Sequence, residues 1–130
     1  MPYVTDTHSM VWFMTNDPKL SSEARKVFLK ADRGEDSIVI PCIAFFELLY
    51  LTEKSKLAID FGGLIAMVSG SRNYRIEPLC LPIIEKCRKI RREEVADPWD
   101  RLIAATSMHL GFPLISGDQS LQEMGLEIVW

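Results

Sequence analysis

The stretch DPWDRLIAAT, residues 97–106, carries a helix start signal. Asp97 is a good N-cap, Pro98 suits the first helical position, and Asp100 falls at the third. Apolar side chains then recur at helical spacing, which predicts that one face of this helix is buried. Taken alone, the stretch has a simple interpretation, in which Asp97 caps the helix and Asp100 complements the positive end of its dipole.

Length and composition predict one domain spanning residues 1–130. The chain is 48% hydrophobic, enough for a core, and 25% charged, an ordinary value that argues against disorder. The net charge of −3 argues against a long-range attraction to nucleic acid, but it leaves room for a local basic patch.

Cysteine usage and hydropathy predict a cytoplasmic protein. Cys42, Cys80 and Cys87 form no CxxC or Cys/His cluster, so we expect buried free thiols rather than a disulfide frame or a zinc site. We also expect no membrane span and no signal peptide, because no apolar run is long enough and no basic N-terminal region precedes one.

Strand and helix patterns alternate along the chain. Strands are predicted at 1–5, 37–40, 74–77, 112–116 and 128–130. Helices are predicted at 10–14, 20–31, 42–51, 57–69, 80–90, 98–110 and 119–124. This alternation favours a three-layer α/β/α sandwich with a mainly parallel central sheet.

Four acids are expected to meet at one edge of this sheet. Asp6 and Asp118 each follow a predicted strand directly, and in a parallel sheet both lie at its carboxyl edge. Asp100 begins a helix, and helices of βαβ units begin at that same edge. Glu47 is the lone acid in an apolar helix, where a carboxylate is costly unless something pairs with it.

A divalent cation is the partner that suits all four acids, since no single lysine or arginine does. Carboxylates are hard oxygen ligands of the kind that Mg²⁺ and Mn²⁺ prefer, and a metal would offset their mutual repulsion. The alternatives at single positions are local, with Asp6 as a helix cap and Asp118 as a turn residue.

The same residues carry a resemblance to a known family. The matching pieces are VTDTH at 4–8 with Trp12 downstream, DPKLS at 17–21, FEL at 46–48, DPWDRLIAAT at 97–106 and SGD at 116–118. On these pieces the chain resembles a PIN-domain ribonuclease, and in particular the VapC-type toxins of type II toxin–antitoxin pairs.

The resemblance implies a metal-dependent endoribonuclease that hydrolyses single-stranded RNA with one or two Mg²⁺ or Mn²⁺ ions. The positions that match the family's catalytic and metal-binding acids are Asp6, Glu47, Asp100 and Asp118. Asp6, Asp100 and Asp118 would ligate directly, and Glu47 directly or through a water. The resemblance also implies a homodimer and a small cognate antitoxin.

Two neighbours of the acids would support them. Ser116 matches the small hydroxyl residue that the family carries two positions before its last acid. Asp97 stays beside Asp100 as the helix cap.

The chain departs from the family where positive charge is usual. Relatives often carry a His-Arg pair where this chain has Val95-Ala96, and a basic residue where it has Gly117.

The charge of the rest of the chain is nearly neutral. Without the four proposed ligands, 14 acidic residues remain against 15 Lys and Arg, which gives a net charge of +1. The residues predicted to contact RNA phosphates are Lys86, Lys89, Arg92 and Arg101, the alternative being a solvated helix face.

Other functions remain open at this stage. A magnesium-dependent phosphatase on a similar sheet would want a second acid two residues after its nucleophile, whereas this chain has Asp6-Thr7-His8. A catalytically inactive PIN module would bind RNA or a protein partner without cleavage. His8 is either a local hydrogen-bonding group or a contact to metal or RNA, and Trp12 and Tyr50 belong to the core or to a partner groove.

Overall fold

The computed structural model describes residues 1–54 and 58–130, and strands alternate with helices in it as predicted. The strands are β1 (Pro2–Thr5), β2 (Ser37–Pro41), β3 (Tyr74–Glu77), β4 (Leu114–Ile115) and β5 (Ile128–Val129). The helices are α1 (Thr7–Met14), α2 (Ser22–Asp32), α3 (Cys42–Glu53), α4 (Phe61–Ser69), α5 (Leu81–Arg88), α6 (Pro98–Leu110) and α7 (Gln119–Gln122). In these described residues, no helix has the length and apolarity needed to cross a bilayer.

The five strands form one parallel sheet in the order β3-β2-β1-β4-β5. Along the chain, β2 and β3 are added on one side of β1, and β4 and β5 are then added on its other side. The direction of winding therefore reverses between β1 and β4. Thr5 pairs with Ile115 at this point, and the Asp6 amide donates to the Ile115 carbonyl at 3.1 Å. Open α/β sheets bind ligands at such a switch point, beyond the carboxyl ends of the strands.

Alternating side chains of the strands build two separate cores. In β2, Ile38 and Ile40 join a buried cluster with α1, α2, α3 and α4, whereas Val39 between them joins a second cluster with α5, α6 and α7. Successive strand residues face opposite sides of a sheet, so the two clusters cover its two faces. The prediction of a three-layer α/β/α sandwich with a parallel sheet is confirmed.

Some local predictions differ from the structure. The helix predicted at 57–69 begins at Phe61, where Asp60 caps it by accepting from the Gly63 amide at 3.1 Å; Leu57 lies outside the described residues. The strand predicted at 112–116 is reduced to β4, because only its middle residues pair with both neighbours.

The prediction of buried thiols is wrong for Cys42, which is exposed, while Cys80 and Cys87 are half-buried. Cys42 begins α3, one residue beyond the end of β2, where the chain leaves the sheet. Ile84, assigned to the buried stripe of the helix predicted at 80–90, is 42% exposed because α5 packs inward through Ile83 instead.

Candidate active site

Helix α6 begins as its sequence predicts. Oδ1 of Asp97 accepts hydrogen bonds from the amides of Trp99 and Asp100, at 2.8 and 3.1 Å. At the other end, Gly111 adopts a left-handed conformation with φ of 71° and closes the helix. These caps place Asp100 in the first turn of α6, half-buried at the carboxyl edge of the sheet.

A cavity of about 420 Å³ lies at this edge, and it collects the predicted acids. Its lining residues are Asp6, His8, Trp12, Glu47, Asp97, Asp100, Gly117 and Asp118. All four candidate ligands are therefore brought together, from the ends of β1 and β4 and from α3 and α6. Five carboxylates face this cavity, and no lysine or arginine of the described residues lines it.

Two of the four candidate ligands also cap helices. Oδ1 of Asp6 accepts from the Ser9 amide at 2.8 Å and caps α1. Oδ1 of Asp118 accepts from the Leu121 amide at 3.1 Å and caps α7. The local interpretation of Asp6 as a cap is thus confirmed together with the convergence of the acids, because a cap engages one carboxylate oxygen and the side chain still reaches the cavity.

Glu47 has a partner that the sequence analysis missed. The Thr7 hydroxyl donates to Oε1 of Glu47 at 2.6 Å, across 40 residues of sequence. Thr7 is buried and follows Asp6 directly, and this adjacency was the only sequence signal for its role. This hydroxyl is one of the partners that a carboxylate in an apolar helix is expected to need.

Ser116 lies between two of the acids. Its hydroxyl accepts from the Asp118 amide at 3.1 Å, and its proximity to Asp6 lowers the pKa of that carboxyl. Its side chain is fully buried. Ser116 therefore couples the ends of β1 and β4.

The crowding of carboxylates perturbs their protonation. Burial raises the pKa of Asp100 to about 7, with further contributions from the negative charges of Asp97, Asp118, Glu47 and Asp6, in that order. Burial likewise raises the pKa of Asp6, while hydrogen bonds from Ser116 and Ser9 partly offset it. The cavity thus disfavours its own negative charge, and a cation in it would relieve that repulsion.

The donor chemistry of this cavity fits a hard divalent cation, since it offers several carboxylate oxygens. Among residues 1–54 and 58–130, however, no three His, Cys, Asp or Glu side chains stand close enough together, as placed, to hold a metal ion. The fit is therefore one of donor type and charge, and the carboxylates would have to turn toward one another to ligate a common ion.

The comparisons with known proteins agree with this architecture. The family-wide sequence pattern of the PIN domain matches residues 3–126. The chain belongs to the PIN domain family. Ribonuclease VapC22 of Mycobacterium tuberculosis is 24% identical to this PIN domain over 117 residues, which are 90% of this chain and 87% of that protein.

Two solved structures share the fold. VapBC2 from Rickettsia felis, bound to a DNA fragment from its promoter, superposes with a TM-score of 0.72 at 19% identity, over the full length of both chains. A toxin–antitoxin complex from Klebsiella pneumoniae has a TM-score of 0.69 at 16% identity, covering 98% of this chain and 96% of that one. The predicted resemblance to VapC-type PIN domains is confirmed by these relatives.

The basic residues predicted to contact RNA do not line the cavity. Lys86, Lys89 and Arg92 lie on α5 or just after it, and none of them lines the carboxylate cavity. Nη2 of Arg101 donates to the carbonyl of Ile90 at 2.7 Å and to that of Cys87 at 3.1 Å. Arg101 therefore holds the end of α5 against α6, so a phosphate contact is better sought at the other three residues.

A second, larger cavity of about 520 Å³ is lined by α1, α2, α4 and β3 and is mostly apolar. Its one carboxylate, Asp32, accepts a hydrogen bond of 2.7 Å from the Tyr74 hydroxyl. The clustered acids line the smaller cavity, which is therefore the candidate active site.

Proposed function

We propose that this PIN domain is a metal-dependent endoribonuclease that hydrolyses phosphodiesters of single-stranded RNA, and that it acts in the cytoplasm as the toxin of a toxin–antitoxin module. One observation supports this above all others: five carboxylates face one cavity at the switch point of the sheet, with no lysine or arginine among its described lining residues. The similarity to ribonuclease VapC22 supports the same reaction class.

In this proposal Asp6, Asp100 and Asp118 ligate Mg²⁺ or Mn²⁺, and Glu47 does so directly or through a water. When bound, the ion supplies Lewis-acid activation of water for attack on the phosphodiester. The chain's own contribution is positional. The caps of α1 and α7 orient Asp6 and Asp118, and Thr7 holds Glu47.

RNA would be held by a modest set of basic residues. Lys89 and Arg92 are exposed and Lys86 is half-buried, so all three can reach phosphates. With a net charge of −3, one chain should bind RNA weakly. A homodimer would join two such surfaces, and we propose this assembly for the active form.

The proposed regulatory partner is a small cognate antitoxin. The support comes from the fold, which this chain shares with the toxin–antitoxin complex from Klebsiella pneumoniae over nearly its whole length. A neighbouring small gene that encodes a DNA-binding protein, and co-purification of its product with this chain, would identify that partner.

The test is cleavage of a panel of single-stranded RNAs by the purified protein, with Mn²⁺, with Mg²⁺ and with EDTA. Asp6→Asn and Asp100→Asn should lower the rate by 100-fold or more, since even losing a supporting group of a metal ligand costs about 10–100-fold. Asp60→Asn is the matched control, because Asp60 also caps a helix but lies outside the cavity. Full activity of Asp100→Asn would refute the proposed site.

Two further measurements separate the alternatives. Turnover of small phosphate esters in place of RNA would favour the phosphatase. For an inactive module, we expect no heat of Mn²⁺ binding in isothermal titration calorimetry. A nuclease should instead bind Mn²⁺ and lose that binding in Asp6→Asn.

A further inference from the structure

Three aromatic side chains lie in a row, and two of them line the carboxylate cavity. We call His8, Trp12 and Trp130 the aromatic strip. The ring centroids of His8 and Trp12 are 5.8 Å apart, and those of Trp12 and Trp130 are 5.9 Å apart. His8 is exposed, both indoles are half-buried, and His8 and Trp12 line the same cavity as the acids.

Trp130 occupies a space that only glycine at position 117 leaves open. A Cβ added to Gly117 would lie 2.5 Å from one indole carbon of Trp130 and 2.6 Å from another. The indole therefore lies directly on the backbone that leads into Asp118. At the position where the resemblance places a basic side chain, this chain instead presents an aromatic ring.

A cation lies beside the middle ring of the strip. Nζ of Lys19 lies 5.9 Å from the centroid of the Trp12 ring, and Lys19 is exposed. A polyanion lying along the strip would thus find a lysine beside its aromatic rings.

We propose that the aromatic strip stacks bases of single-stranded RNA beside the cavity, and that this chain gains RNA affinity there by stacking instead of by a phosphate contact from residue 117. The inference rests on the proposed function in taking RNA as the substrate. Unpaired bases stack on Trp and His rings with an affinity gain that does not require positive protein charge. That suits a chain whose net charge is −3.

The competing interpretation is that the indoles only fill space. Trp12 and Trp130 do pack against the buried cluster of α1 to α4, and that contact holds the rings in place. Packing alone predicts no dependence of RNA binding on the presence of bases. Base dependence is therefore the property to measure.

The first experiment needs no variant. The full chain, in EDTA so that cleavage is suspended, is titrated into a labelled single-stranded RNA and into the same strand with abasic sites, and binding is followed by fluorescence anisotropy. We expect the abasic strand to bind about tenfold more weakly or worse, since stacking contributes about 1–3 kcal/mol per base. Equal affinity for the two strands would overturn the proposal.

Variants then locate the effect. Trp12→Leu with Trp130→Leu should weaken binding of intact RNA by about tenfold or more while leaving abasic RNA unaffected, and Trp12→Phe alone should keep most of the affinity. Tyr50→Leu is the matched control, since Tyr50 is an exposed ring with Lys54 Nζ 4.6 Å from its centroid and lies outside the cavity. Wild-type affinity in the double variant would also overturn the proposal.

The test of the aromatic strip can fail or succeed independently of the test of nuclease activity. Base-dependent binding without cleavage would retain the strip and refute the nuclease. Metal-dependent cleavage with no base dependence would retain the nuclease and refute the strip. In cleavage assays the double variant should raise KM more than it lowers kcat, because the strip binds bases while the carboxylates act on the reacting phosphate.

Discussion

The hydroxyl of Thr7 donates to Oε1 of Glu47 at 2.6 Å, and this bond joins the start of α1 to the middle of α3. Asp6, which precedes Thr7, caps α1 through the Ser9 amide. The positions of two candidate ligands, 41 residues apart in sequence, are therefore coupled through one buried threonine.

Replacing Thr7 with valine tests this coupling. Thr7→Val keeps the shape of the side chain but removes the donor, so Glu47 loses its partner. We expect the free energy of unfolding to fall by about 1–2 kcal/mol and the cleavage rate by about tenfold. Urea unfolding and RNA cleavage measure the two effects. Thr7→Ser retains the hydroxyl and should restore both, and undiminished cleavage by Thr7→Val would contradict the role.

Stability should depend on pH through Asp100. Its folded-state pKa of about 7 lies above the ordinary value of 3.8, so the folded chain binds this proton more tightly than the unfolded chain does. In the absence of divalent ions, this contribution is complete below about pH 4 and is lost as the pH rises through 7. Asp6, whose pKa is also raised, acts in the same direction.

Comparing wild type with Asp100→Asn isolates that contribution. Thermal unfolding in EDTA at pH 5 and pH 8 should show a larger loss of stability for wild type than for the variant, because asparagine carries no charge at either pH. Asp60→Asn, at an exposed cap, should behave as wild type. An identical pH dependence in wild type and Asp100→Asn would show that Asp100 is not perturbed.

Asp97 combines a capping role with an electrostatic one, and two substitutions separate them. Asp97→Ala removes the acceptor for two amides and should lower stability by about 1 kcal/mol. Asp97→Asn keeps a capping oxygen but removes the charge, so stability should be nearly retained while the pKa of Asp100 falls. Carboxyl NMR titration of both proteins checks this, and an unchanged Asp100 pKa in Asp97→Asn would disprove the electrostatic part.

Arg101 should act on stability more than on RNA. Its guanidinium donates to the carbonyls of Cys87 and Ile90, and the Cys87 carbonyl also accepts from the Ile90 amide. Arg101→Met should therefore cost about 1–2 kcal/mol, mainly by removing the donor to the Ile90 carbonyl. The salt dependence of RNA binding should stay as in wild type.

Lys89→Ala should have the opposite effects. Stability should be retained, and the slope of log K against log salt concentration should fall by about 0.7, the value for one lost phosphate contact on a single strand. A reduced salt slope in Arg101→Met would show instead that Arg101 contacts RNA.

Local signals in the sequence predicted most of the elements and the identity of the clustered acids. Helix α6 was predicted because its cap, its proline and its terminal glycine all lie within a few residues of the helix itself. The start of α4 and the exposure of Cys42 were not predicted. The start of α4 is set by the cap at Asp60, a local signal that the apolar residues 57–59 before it obscured. The exposure of Cys42 depends on how the chain leaves β2, which gives no periodic pattern.

The sequence by itself determined the α/β alternation and the placing of an acid after each of two strands, because these follow from local periodicity and from residue order. Only the tertiary structure decided that β1 and β4 are neighbours, and hence that Asp6 and Asp118 share one cavity with Glu47 and Asp100. It also decided that Trp130 lies on Gly117. Strand order and contacts between distant residues arise from packing on the two faces of the sheet, and no local pattern in the chain encodes them.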